Sequence, residues 1–235
     1  MFFTIRSAVL ATVLLLLAQP GRADEYNWSG FYAGLGVMGT NASSDVGGTT
    51  FPPLGDTFSL STDKIDAQAG VLAGYNFDIN GPLVLGAEVL GQFGGVATLE
   101  NQSFPGWVFP GQGTSLVSLT DQYSLRARIG FEAGRGWLLF GTAGVSQGEV
   151  EVTGSYAGLT PTYMSYSASE SLTGYTVGIG AEKAFSEHFS VRAEVNYTDL
   201  GSISAPIMVS GVPSGTNAKH EIETVSAGIF AVWNF

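Results

Sequence analysis

Between Phe189 and Tyr197 the chain alternates strictly: Phe189, Val191, Ala193, Val195 and Tyr197 are apolar or aromatic, and Ser190, Arg192, Glu194 and Asn196 are polar or charged. Successive side chains of a β-strand point to opposite faces, so this period of two describes a strand with one greasy and one polar face. The same alternation recurs along the chain, in segments joined by tight and long connections in turn. A soluble sheet would explain alternation alone. Tight turns strictly interleaved with long connections are the pattern of a transmembrane β-barrel, apolar towards lipid and polar towards its lumen.

Strands are expected at Gly30 to Thr40, Asp66 to Phe77, Leu83 to Gly94, Leu119 to Glu132, Trp137 to Val150, Ser171 to Lys183, His188 to Ile203 and Ile222 to Phe235. The fold class is therefore all-β, an eight-stranded antiparallel up-and-down barrel. Its tight turns fall at residues 78–82, 133–136 and 184–187, and four longer connections lie at the other end. In outer-membrane barrels the tight turns are periplasmic and the long loops extracellular, which orients the chain.

The N-terminus is consistent with export. A basic start ending at Arg6, an eleven-residue apolar run from Ala8 to Ala18, and the small residues Gly21 and Ala23 three and one positions before the cut read as a signal peptide, residues 1–23, leaving residues 24–235 as the barrel domain. The run is shorter than the roughly 17–25 residues a spanning helix needs. Without Arg6 and Arg22 the mature chain has seven basic residues against twenty acidic ones, a net charge of −13. Nucleic acid is excluded as a partner on that balance, because its binding depends on phosphate neutralisation. The absence of cysteine removes disulfides, thiolate catalysis and the common structural zinc sites.

Period two assigns each remaining group a face. Glu88, Arg126, Arg128, Glu132, Glu182, Arg192 and Glu194 point inward and form a candidate lumen charge network, since ions away from water must pair. Inward Gly178 and Gly180 are expected to leave room for Arg192 and Glu194. Outward at the periplasmic rim stand Phe31, Tyr75, Phe77, Phe131, Trp137, Phe189, Trp233 and Phe235, a candidate aromatic girdle at headgroup level. Tyr123, Tyr175 and Tyr197 are candidates for the outer girdle. A charge placed at lipid-facing Val195 should be costly, and a polar exchange at lumen-facing Asn196 should cost much less. An eight-stranded barrel is just wide enough to be filled by its own side chains, so a plugged interior is expected, with a narrow porin for small solutes as the alternative.

Several segments carry a family resemblance. Trp28-Ser29-Gly30-Phe31-Tyr32-Ala33-Gly34 resembles the opening of the porin-like outer-membrane immunogenic proteins of alphaproteobacteria. Ala73 to Asn76, Leu85 to Glu88, Leu125 to Gly130, Gly174 to Glu182 and Tyr197 to Gly201 match further family segments in order. The resemblance implies a barrel like the membrane domain of outer membrane protein A and the neisserial opacity proteins. It implies an abundant surface antigen without an enzyme site, some members being called porins and some binding haemin. It also implies that the C-terminal strand, here ending Trp233-Asn234-Phe235 where relatives usually have tyrosine before the last phenylalanine, is the assembly signal. The expected partners are outer-membrane lipids, lipopolysaccharide and the barrel-assembly machinery.

Catalytic chemistry finds little footing. Gly34 to Gly39 fits G-x-G-x-x-G by letter, but those glycines fall inside a strand pattern and no helix N-terminus follows to receive a phosphate. His188 belongs to a periplasmic turn and His220 is expected at a solvated loop base. Neither has metal-ligand spacing, and Asp45, Asp56 and Asp63 do not follow a calcium-loop pattern. No cofactor is implied. The aromatics of residues 104–110, with Tyr156, Tyr163 and Tyr166, are what the long connections offer a ligand, as a receptor or adhesin would.

Overall fold

The alternating segments become strands and nothing else: the computed structural model describes residues 26–47, 65–79, 81–104, 111–158 and 163–235, and all regular structure among them is β. The expected leader, Asp56, Asp63 and residues 105–110 lie outside the described residues. The strands are β1 (Gly30–Gly47), β2 (Ile65–Asp78), β3 (Leu83–Phe93), β4 (Val96–Phe104), β5 (Gly111–Gly134), β6 (Trp137–Gly158), β7 (Tyr163–Ser186), β8 (Phe189–Val209) and β9 (Val212–Asn234). Every neighbour is antiparallel. β3 pairs with the lower half of β5 and β4 with its upper half, so the two are one stave of the barrel broken at Gly94 and Gly95. Gln68 holds the break by donating from Nε2 to the Gly94 carbonyl at 2.6 Å.

β9 returns to β1, in register from Tyr32 opposite Asn234 to Gly47 opposite Lys219, and the eight staves close into a ring. Closure is obligatory in hydrocarbon, where an open edge would leave a row of backbone groups without partners. Outward residues on every stave are large and exposed, Leu35, Val37, Leu125, Ile129, Ile179 and Ile229 among them. On β5 this apolar belt runs from Tyr123 to Phe131. At about 3.4 Å per residue and a tilt of about 40°, that is about 20 Å of height, close to the lipid-facing band of a small barrel.

The staves continue well beyond the belt. The sequence suggests Leu119, Val150, Ser171, Ile203 and Ile222 as strand boundaries, but the long connections are built largely as extended hairpins reaching Gly111, Gly158, Tyr163, Val209 and Val212. β8 and β9 meet in a two-residue turn, Ser210-Gly211, with φ of 49° and 82°, the positive pair that a tight hairpin turn uses. In these extensions the polarity of the wall inverts. Val150, Val152, Leu172 and Ile222 point inward and are buried, whereas Glu149, Glu151, Ser169, Ser171 and Glu221 point outward.

A lipid-facing and a water-facing outward residue should therefore respond differently to charge. Val195→Arg, inside the belt, is expected to cost about 2–4 kcal/mol, and Ser169→Arg, in the extension, less than about 0.5 kcal/mol. Denaturant titration of the protein folded in lipid vesicles measures both; equal costs would move the membrane boundary.

Candidate functional site: the side chains of the lumen

Strand parity turns Glu88 on β3, Arg126 and Arg128 on β5, Glu182 on β7, and Arg192 and Glu194 on β8 into the same interior. Register then sets Glu88 directly opposite Arg126 and Glu182 directly opposite Arg192. Of the remaining ion pairs, Arg126–Glu194 and Arg192–Glu88 span the lumen, Arg128–Glu182 passes over β6, and Arg192–Glu194 lies along β8. Arg126 binds Glu88 and reaches Glu194 at 3.1 Å; Arg192 binds Glu88, Glu182 at 3.0 Å and Glu194 at 3.7 Å; Arg128 binds Glu182 at 2.6 Å. Three guanidiniums and three carboxylates balance, and the Arg192 side chain is 0% exposed. Glu88, Arg126, Glu194 and Arg192 form a closed cycle that ties β3 and β5 to β8 across the barrel. Charge-assisted pairs of this kind offset the large cost of desolvating the ions only when nearly all members are present.

Uncharged residues complete the arrangement. The Tyr32 hydroxyl donates to Glu88 at 2.9 Å, Ser190 donates to Glu182 at 2.5 Å, and Asn196 accepts from Arg126 at 2.9 Å while donating to Glu194 at 2.9 Å. Phe140 lies 4.1 Å from the Arg128 guanidinium carbon and 4.9 Å from that of Arg192, a cation–π shelf for both.

Six of the seven expected charges thus meet, and Glu132 does not join the ion pairs that link them. It has inward parity but lies half-buried beside the periplasmic turn, where its backbone N–H donates to the Pro82 carbonyl. The two glycines serve different neighbours from those expected. A Cβ at Gly180 would strike the Phe140 ring, and one at Gly178 would strike Asn196 and Thr142. Asn196 itself is no permissive site, because it is 2% exposed and holds both Arg126 and Glu194. Tyr32 and Phe140 share the inward parity of their strands, which could have found them. Their roles depend on contacts across the barrel that parity does not supply.

The lumen is also less polar than period two alone suggests. Next to the periplasmic turns Trp28, Val84 and Leu138 are buried together, with Tyr26 packed edge-on against Trp28 at 4.6 Å. Asn76 fastens this cap by donating to the Trp28 carbonyl at 3.0 Å. Tyr32, Met38, Leu72, Leu90, Phe230 and Val232 form a second cluster. The Phe230 ring occupies the space that a Cβ at Gly36 or Gly70 would need. Gln122, Ser124, Ser146, Thr176 and Thr198 are linked by hydrogen bonds of 2.9–3.3 Å. Beyond the belt Val117, Leu119, Val150, Val152, Leu172, Leu200, Ile203, Ala205 and Ile222 make a third apolar cluster.

Outside, the rim aromatics share one end. Register joins Phe31 to Tyr75 and Phe189 to Trp233, and Phe31, Tyr75 and Phe77 pack edge to face at 4.7 Å. Phe131 is exposed, Trp137 half-buried, and Phe235 73% exposed with its N–H donating to the Phe31 carbonyl. At the outer end Tyr175 and Tyr197 lie 6.2 Å apart and Tyr123 lies 5.7 Å from Phe93.

The two histidines differ. His188 is exposed at its turn, stacked on Trp233. His220 is no solvated loop base: it is 0% exposed, inward on the upper part of β9, with its ring 5.5 Å from that of Tyr166. Burial pulls its pKa from 6.5 down to about 4, so the ring is neutral at physiological pH. Among the described residues no group of three or more histidine, aspartate or glutamate side chains is placed to hold a metal ion.

A closed ring of eight strands, with an apolar belt between aromatic girdles, is the build of an integral protein of the Gram-negative outer membrane. The chain belongs to the outer membrane protein β-barrel domain family, whose model matches residues 9–235. It is 25% identical to the 31 kDa outer-membrane immunogenic protein of Brucella melitensis, over 96% of this chain and 98% of that protein. It is 30% identical to the 22 kDa outer membrane protein of Rhizobium leguminosarum bv. viciae, over 75% and 66% of the two chains. Among solved structures, the outer membrane protein OprG from Pseudomonas aeruginosa superposes with a TM-score of 0.48 and 12% identity, over 89% of this chain and 97% of that one.

Arg192 serves three carboxylates and Arg128 one. Arg192→Ala should therefore cost about 3–5 kcal/mol, and Arg128→Ala clearly less. Urea titration followed by heat-modifiable gel mobility compares them, and equal losses would remove Arg192 as the hub. A second expectation concerns acid. Because the folded pKa of His220 lies below the unfolded value, its burial is harmless above about pH 6.5, and stability falls as pH drops from there towards about 4. Thermal melts at pH 7 and pH 5 should differ for the native chain, and the difference should shrink in His220→Leu.

Proposed function

We propose that this protein is a surface-exposed structural barrel and surface antigen of the outer membrane whose lumen does not pass solutes. The observation that carries this reading is the neutral, cross-braced ionic layer, stacked between apolar clusters towards each mouth. An open pore lined by charge needs those charges hydrated and separate, whereas here they consume one another. The name of the Brucella relatives, immunogenic outer-membrane proteins, supports the surface-antigen part. No enzymatic role is assigned. Its immediate partners are outer-membrane lipid and lipopolysaccharide around the girdles, and the barrel-assembly machinery, which would read the terminal strand at Trp233 and Phe235.

The deciding measurement is single-channel recording of the refolded protein in a planar bilayer. A flat trace at moderate voltage is expected. Steady stepwise openings would replace this reading with the narrow porin for passive diffusion.

A further inference from the structure

β7 and β8 pair from Tyr175 opposite Asp199 down to the periplasmic turn, and again at the top, where Met164 faces Val209 and Ser165 faces Met208. Between these stretches, residues 166–174 of β7 and 200–207 of β8 do not form a ladder with each other. Each strand remains paired on its other side through this region, β7 to β6 without interruption and β8 to β9 from Gly201 to Pro206. The extracellular wall therefore consists here of two intact hairpins meeting along an unladdered seam.

The sequence accounts for the interruption. At Leu200-Gly201 β8 carries a bulge against β9, with Gly201 at φ +82°, a conformation glycine adopts without strain, and its N–H donating to Asp199 Oδ1 at 2.8 Å. Inward parity switches across it, from Thr198 and Leu200 to Ile203 and Ala205. At the far end Pro206 has no N–H to give to a ladder. At the lower end of the seam the backbones touch, because a Cβ at Gly174 would strike the Asp199 carbonyl. Above that point side-chain packing closes it, with Leu172 from β7 and Leu200, Ile203 and Ala205 from β8 all buried in the extracellular apolar cluster. The rims are polar, with Ser167, Ser169, Ser171, Ser202 and Ser204 exposed.

We propose that the β7–β8 seam is a lateral gate through which the apolar compartment above the membrane admits a single-chain amphipathic molecule, an acyl chain with a polar head. Parting the hairpins breaks the short upper clasp, which includes the Ser210 N–H bond to the Tyr163 carbonyl, and leaves the membrane-level ladder intact. The chain would lie between Leu172 and Ile203, with its head among the rim serines. The compartment is packed when the seam is shut, so entry requires opening. The gate is independent of whether the lumen conducts, because it opens sideways above the ionic layer.

The chain has no cysteine, so a pair introduced at the clasp, Ser165→Cys with Met208→Cys, can be joined or freed at will. Residue-resolved hydrogen exchange in lipid nanodiscs should find the seam-facing amides of 166–174 and 200–207 exchanging at least about tenfold faster than those joining β6 to β7 at the same height, and oxidation should slow them. cis-Parinaric acid should show saturable fluorescence enhancement with the reduced protein and lose it on oxidation, with empty nanodiscs as the baseline. Seam amides as protected as their neighbours, or parinaric acid uptake absent or indifferent to the staple, would overturn the proposal.

Discussion

Everything in this molecule depends on one constraint: within the bilayer no backbone N–H or C=O can turn to water, so the last strand must find the first. The ladder between β1 and β9 meets that demand, and it dictates much else. Eight staves enclose a space only a few side chains wide. Whatever faces inward must pack against, or pair with, what comes from the opposite wall, and the cycle through Glu88, Arg126, Glu194 and Arg192 is one answer to that crowding. Removing any one member leaves buried charge behind, which makes the layer costly to edit piecemeal.

Much of this was legible in the residues. The ring, its orientation, the outward belt and the rim aromatics follow from period two and the spacing of turns, because lipid imposes a uniform demand on one face of every strand. The inward direction of the charges was legible for the same reason. The choice of partners across the lumen was not. Arg192 reaches Glu88, 104 positions away in the chain, through a geometry set by strand tilt and closure. Phe140 and Phe230 read as ordinary strand residues, and Trp28 as part of the opening motif, until the opposite wall is present.

The upper strands were legible least, for an instructive reason. Above the belt the outer face meets water and the inner face becomes an ordinary hydrophobic core, so the apolar residues change sides. On β6, which carries no bulge there, Val145 faces out and Val150 and Val152 face in. On β5 and β8 irregularities near Thr120 and Gly201 shift the parity as well. A reader following one apolar stripe sees it dissolve and infers a loop, although the backbone runs on as strand. His220 was misplaced by the same error, being assigned to solvent where the interior had become apolar.

That exchange of faces also acts as a depth gauge. Sliding the barrel inward by a few residues would drag Glu149, Glu151 and Glu221 into hydrocarbon, and sliding it outward would strand Leu125, Ile179 and Ile229 in water. Both displacements are uphill, so the height of the protein in the leaflet is written into its strands. With β6 and β7 laddered up to Ala157 and Tyr163, that hairpin stands about 30 Å proud of the belt as a braced post. Ala157 and Tyr163 are thereby held at a set elevation above the bilayer, and that elevation is decided by strand length.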